Sequence, residues 1–433
     1  MSRTAFVNAR LVDPDSGYDG PGALLVEAGL ITAVLKSGAP EGLADDVRRV
    51  DCAGTVLAPG LVDLRAKSGE PGAEPKETLK SLVRAAAAGG VTTVVVQPDT
   101  DPAIDDPATV DFVLRRARDI GGVRVYPAGA ATRGCRGEQL AEIGLMREAG
   151  AVYVTDADAV IRSSKVLRRV LSYAASFGAL VAHRPKDPWL SEGAAAVEGE
   201  LAGRLGLPGA PDIAERMGLE RDLALVELTG ARFLVDQLSS AAALEVFRRA
   251  KAAGLPVTAS VSINHLSFNE VDLGDYRTFF RLDPPLRGED DRQALIEAVA
   301  DGTLEIIVSA HAPAPAEDKR LPYAEAAPGA VGLETLLPAL LSLHHEAGLP
   351  LLDLLRPVTL NPARLLGLPS GRLAEGAPAD LVLFDPGAPL IVDADRLLSK
   401  SKNSPFDGRR LQGRVRLTMV GGRTVFESGR DDA

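Results

Sequence analysis

An α/β fold built on a (β/α)₈ barrel, with a smaller β domain assembled from the two chain ends, is the architecture this sequence predicts. Three observations predict it. Short apolar runs alternate with stretches rich in Ala, Leu, Glu and Arg through the middle of the chain, the pattern of strands followed by helices. The runs number eight, at 61–65, 92–97, 124–128, 152–156, 180–183, 232–237, 256–261 and 306–309. Both ends change to strand-like alternation, in FVNARLVD, ALLVEAGLITAVL and RVDCAGTVLAPG at the start and in ADLVLFDP, VRLTMVGG and RTVFESG at the close. A barrel spanning 58–366 and a composite β-sandwich made from 1–57 plus 367–433 use the whole length of 433 residues.

Composition narrows the class of function. Hydrophobic residues at 46% and charged residues at 25% give an ordinary globular balance, so a large core is available. Lys+Arg 48 against Asp+Glu 59 leaves a net charge of −11 with no basic stripe, which argues against nucleic acid and anionic membranes as partners. No apolar signal region opens the sequence and no uncharged run approaches the roughly 18 residues of a membrane span. A cytoplasmic protein is expected. Cys52 and Cys135 have no metal-ligand spacing and read as packing residues.

Functional residues in such a barrel stand where strands give way to the following loops. Those positions hold Arg65, Lys67 and Gly69 after the first run, Asp99 after the second and Asp156 and Asp158 after the fourth. His183 ends the fifth, Asp236 and Gln237 the sixth, and Ser309, Ala310 and His311 the eighth. The mouth is polar, yet only five histidines occur in the chain, few for hydrolytic zinc chemistry.

At this point an ordered series of motifs resembles the dihydroorotase family, from Phe6 to about Phe426. APGLVDLRAKSGEPG (58–72) with Lys76-Glu77 is similar to its first-strand signature, in which a His-x-His pair precedes Arg-Glu-Pro-Gly. GGVTTVVVQPDTDPAID (89–105) is similar to its Pro-Asn-Thr loop, DPPLR (283–287) to its Asn-Pro-Pro-Leu-Arg, and SAHAP (309–313) to its Thr-Asp-His-Ala-Pro. NPARLLGL, GRLAEGAPADLVLFDP and NSPFDGRRLQGRVRLTMVGGR extend the likeness through the tail. The resemblance implies an amidohydrolase-type barrel of pyrimidine synthesis.

The departures gather at the chemistry. Arg65 and Lys67 stand where the family has its two histidines, and Gly69 where it has a substrate-clamping arginine. Asp99 and Asp283 replace substrate asparagines. Ala157 aligns with a metal-binding aspartate, Gln237 with a histidine ligand, Ala310 with the aspartate that is ligand and general base, and Ala314 with a substrate-contacting histidine. His183, His311, Asp156 and Pro71 remain. Cyclic-amide hydrolysis needs a metal-bound hydroxide and a group to move its proton, and alanine at 310 can move none. Two fixed cations at 65 and 67 would also repel a divalent ion, since even unit charges about 4 Å apart repel by roughly 4 kcal/mol at an effective dielectric of 20. Asp63, His183 and His311 are the remnant ligand candidates.

No intact catalytic set, no cofactor and no metal are therefore expected, zinc entering only if a reduced site survives. The plainer readings are that Arg65 and Lys67 are structural charges, that His183 and His311 are packed relics, that Asp156 and Asp158 cap helices, and that His344-His345 is surface. Arg65 and Lys67 are expected to pair with Asp156, Asp158 or Asp99, and Lys76-Glu77 to begin the helix after the first strand. The apolar stretch 333–343 reads either as core or as an oligomer surface, and a homodimer is possible. Some members of the family are non-catalytic and assemble with aspartate carbamoyltransferase, six chains of each kind, and this chain resembles those; the alternative is a divergent amidohydrolase acting on dihydroorotate or a hydantoin-like cyclic amide.

Overall fold

The computed structural model describes residues 3–36 and 47–429, so parts of the expected terminal domain at 1–2, 37–46 and 430–433 lie outside the described residues. Eight barrel strands follow in order: Leu61–Ala66, Val91–Val96, Arg124–Pro127 (continued by Gly129–Ala130), Val154–Thr155, Val181–His183, Phe233–Val235, Val257–Ser262 and Ile306–Val308. Each pairs in parallel with the next. A parallel bridge from Ala66 to His311, with the Lys67 amide donating to the His311 carbonyl at 2.8 Å, closes the ring. All eight runs read from the sequence are strands of this barrel.

The helices outside it form for local reasons. Thr78 and Ser81 make a reciprocal cap on Leu79–Ala88, and Asp106 caps Pro107–Ile120, whose proline occupies the first turn. Ser164–Ser176 buries Leu167, Val170, Leu171 and Ala174, one stripe at helical spacing. Alternate strand residues Val62, Leu64, Val95, Leu234, Ile306 and Val308 fill the barrel interior. The stretch at 333–343 resolves as core, since Leu336–Ala347 buries Leu336, Leu337, Leu340, Leu341 and Leu343.

Strands from both chain ends join one continuous eight-stranded sheet, in which Val56–Pro59 lies between Arg3–Asp13 and Leu381–Ile391. Its own core gathers Phe6, Leu24, Ile31, Leu57, Leu381, Leu417 and Met419. Arg124 on the third barrel strand bonds the buried Asp380 at 2.8 and 3.1 Å and fastens the sheet to the barrel. From the sheet side, 397–404 returns to the barrel mouth. The buried Glu77 carboxylate accepts from the Ser399 hydroxyl and the Lys400 amide, and Asn403 donates to the Ala312 and Gly329 carbonyls at 3.1 and 3.0 Å. Glu77 was expected to begin a helix; that helix starts at Leu79, and Glu77 is consumed as this anchor.

Candidate functional site

The strand ends converge on a mouth occupied by charge. Arg65, with 4% of its side chain exposed, lies between Asp236 and Asp158, at Nε–Oδ2 2.7 Å and Nη2–Oδ1 2.6 Å. The pairing register of the first strand shifts between Asp63 and Ala66, an irregularity at the residue that reaches into the mouth. Lys67 bonds Asp99 at 2.6 Å and also donates to Asp158. Arg184 joins Asp158 at 2.8 Å to Asp283 at 3.1 Å, and Lys186 reaches Asp283 at 3.0 Å. The carboxamide oxygen of Gln237, turned toward the guanidinium groups, accepts from Arg184 Nη2 at 2.8 Å and Arg65 Nη1 at 3.0 Å. Four cations thus meet four carboxylates within one hydrogen-bonded network.

The electrostatics follow from burial and pairing. Burial alone would lower Arg65, but Asp236 and Asp158 outweigh it and hold its pKa raised; Lys67 is raised in the same way by Asp158 and Asp99. Burial would raise Asp158, but Lys67, Arg184 and Arg65 together hold it well below the ordinary carboxylate range. Arg65, Lys67 and Asp158 are therefore charged at neutral pH. The cavity left among Arg65, Asp158, Gln237, Asn264, His265 and Asp283 measures about 20 Å³. That is room for about one water molecule, not for a cyclic amide.

The surviving candidate ligands are engaged elsewhere. His183 Nε2 accepts the Ile161 amide at 3.1 Å, which leaves Nδ1 to donate to the buried Asp222 at 2.6 Å. Both ring nitrogens are thereby used. His311 Nδ1 accepts the Gly332 amide at 3.2 Å while Nε2 faces Glu77 at 3.5 Å. Asp63 accepts the Ser309 amide at 2.9 Å and its hydroxyl at 2.5 Å, and burial pushes its pKa up to about 6. Among the described residues no three His, Cys, Asp or Glu side chains are grouped as a metal would require. The zinc that the resemblance implies does not fit a donor set of committed histidines and fixed cations.

The remaining sequence candidates fall as follows. Ala157, Gln237 and Ala310 are non-glycine residues in left-handed backbone, with φ of 54°, 56° and 51°. That conformation suits Asp and Asn better than Ala, and these are positions that the motif resemblance sets against metal ligands. At Gly69 the chain has closed: an added Cβ would lie 1.9 Å from the Ala73 carbonyl oxygen and 2.7 Å from that of Glu77. The Ala314 amide donates to Asn403 at 3.1 Å. Asp156 was expected among the partners of Arg65 and Lys67; instead it accepts the Thr132 amide at 2.8 Å, facing away from the cations. His344 and His345 bond the carbonyls of Leu349 and Pro386, closing a helix end.

Sequence reasoning missed Arg184, Lys186 and the pairing of Asp236. The signal was present in HRPK, where two cations directly follow the fifth strand at the barrel's functional end.

This arrangement defines a barrel of the amidohydrolase class, and the comparisons agree. A profile described as Dihydro-orotase-like matches residues 54–243, and one described as Amidohydrolase family matches 219–425. A dihydroorotase of Anaeromyxobacter sp. (strain K) is 42% identical over 435 residues, covering 100% of both chains. A dihydroorotase-like protein of Pseudomonas aeruginosa is 43% identical over 419 residues, 97% of this chain and 98% of that one. The solved L-hydantoinase (dihydropyrimidinase) from Arthrobacter aurescens superposes with a TM-score of 0.88 at 26% identity, covering 99% and 97% of the two chains. The chain belongs to the dihydroorotase-like family of amidohydrolases, a family of pyrimidine biosynthesis. No helix among the described residues is long and apolar enough to cross a membrane.

Proposed function

We propose that this chain is a catalytically inactive dihydroorotase-like protein that serves in the cytoplasm as an assembly subunit for aspartate carbamoyltransferase, six chains of each kind. One observation carries the reading: Arg65, pinned between Asp158 and Asp236, occupies the place where hydrolysis would need a metal and its hydroxide. Ala310 supplies no base beside it. The loops around the mouth nevertheless have firm anchors, the buried Glu70 to the exposed Arg116 at 2.6 Å and the buried pair Arg287 to Glu215 at 2.9 Å. A scaffold preserved around a filled centre suits a role played by the outer surface.

Light scattering after size exclusion tests it, using this protein, the aspartate carbamoyltransferase of the same organism, and their mixture. A stable larger complex with transferase activity retained supports the assembly role, and two unshifted peaks at micromolar concentration overturn it.

The relatives named dihydroorotase favour a second reading, a divergent amidohydrolase that opens or closes dihydroorotate or a hydantoin-like ring. That reading needs a metal. About one or more zinc ions per chain after growth in zinc, with cyclic-amide turnover, would establish it over the first.

A further inference from the structure

Next to the filled mouth, and sharing Asp283 with it, is a second cavity of about 220 Å³ between the loop after the fifth barrel strand and Arg281–Pro285. Its charge balance differs from that of the mouth. No carboxylate among the described residues forms an ion pair with Arg281, which spends its guanidinium on the carbonyls of Leu282 at 3.3 Å and Ala194 at 3.0 Å. Its buried Nε has no acceptor. Lys319, 3% exposed, stands behind it and donates only to the Thr278 and Arg281 carbonyls, at 3.1 and 3.3 Å. Burial and the Arg281 charge bring the Lys319 pKa down to about 7, and burial draws that of Arg281 down too. Two adjacent basic groups are thus withdrawn from water with no ion-pair contact among the described residues, Asp283 and Asp318 acting on them only from a distance, which is costly unless a closer anion is supplied.

The other walls can accept an anion. Lys186 gives its ammonium to Asp283 alone and keeps donors free, and the Ser191 hydroxyl makes no hydrogen bond among the described residues. The two carboxylates lining the cavity are already satisfied, Asp283 by Arg184 and Lys186, Glu215 by Arg287 and the amides of Ser239 and Ser240. The volume lies below the roughly 300–1,000 Å³ of pockets for drug-sized ligands, so the occupant is small.

We propose that this cavity binds a small oxyanion, a phosphate- or carboxylate-bearing metabolite, through Arg281, Lys186 and Ser191. The site borders the network in the mouth, with Lys186 and Asp283 common to both, and does not depend on which reading of the protein's function holds.

Calorimetry and thermal melting of the full chain with inorganic phosphate, and separately with succinate, at ionic strength matched with chloride, test the proposal. Saturable binding of one anion per chain and a raised melting temperature are expected, and the probe that binds better names the class. Arg281→Gln should weaken binding by at least about an order of magnitude, in line with loss of a charged hydrogen bond. Ser191→Asp, which supplies an internal carboxylate, should melt higher than the unsubstituted chain without anion and no longer respond to either probe; it decides the matter should Arg281→Gln fail to fold. No saturable response to either probe at millimolar concentration, or wild-type affinity in a folded variant, overturns the proposal.

Discussion

Two buried arginines at the same end of the barrel do different work. Arg65 lies between Asp158 and Asp236, and its neighbours in turn bond other charged side chains, so the mouth is balanced within itself. Arg287 lies between Asp212 and Glu215 at 2.8 and 2.9 Å, and Glu215 also receives the Ser239 amide at 2.7 Å. Through that carboxylate Arg287 ties the loop after the seventh strand to the helix Ile213–Thr229 and to the start of Ala241–Ala252. One set fills the mouth of the barrel; the other holds backbone in place. The difference teaches that burial and distance alone do not say whether an ion pair belongs to a site or to the frame around it.

Partner swaps give the strongest test of this contrast. Arg65→Met should cost about 3–5 kcal/mol in urea unfolding, because it strands a buried carboxylate, and adding Asp236→Leu should restore most of that. Arg287→Met should cost a similar amount, yet adding Glu215→Leu should deepen the loss, since the Ser239 and Ser240 amides then lose their acceptor. Equal behaviour of the two double variants would erase the distinction.

A smaller effect is expected at the anchor of the returning segment. Glu77→Ala should destabilise by about 1–3 kcal/mol and raise amide exchange at Lys400 first, whose N–H then has lost its acceptor, as read by hydrogen–deuterium exchange.

Acid titration separates two buried aspartates of the barrel by sign. Asp158, held well below 3.8, contributes stability that is present above pH 3.8 and lost only as pH falls through its lower folded value. Asp63, raised to about 6, contributes stability that is present below pH 3.8 and lost as pH rises to 6. Asp63→Asn should therefore fall less in stability than the unsubstituted chain between pH 3.8 and 6, and parallel curves would remove Asp63 from the account. The smallest effect belongs to Ala310→Gly, which relieves left-handed strain and should stabilise by up to about 1 kcal/mol; a loss of stability would mean the methyl group's packing matters more.

The barrel was legible because each strand is an apolar run bounded by helix-forming sequence, a purely local signal. The placing of two cations, Arg65 and Lys67, at the mouth was legible too, from their position at the end of the first run. Which carboxylates would answer those cations was not, because Asp236 and Asp158 come from other strands and the barrel's closure sets their distances. Asp156 and Asp158 differ by two residues and look equivalent in sequence, but Ala157 between them has φ 54°, and that turn sends one to Thr132 and the other into the mouth. Glu77 was misread because its partners, Ser399 and Lys400, are more than three hundred residues away.

The closed backbone at Gly69 makes that position intolerant of any other residue. A side chain there would strike the Ala73 carbonyl at 1.9 Å, so an arginine, the residue that the resemblance sets against this position, could enter only if the 69–77 turn reopened first. A substitution made here alone would therefore damage folding before it offered any new contact. The turn works as a lock on the identity of one residue.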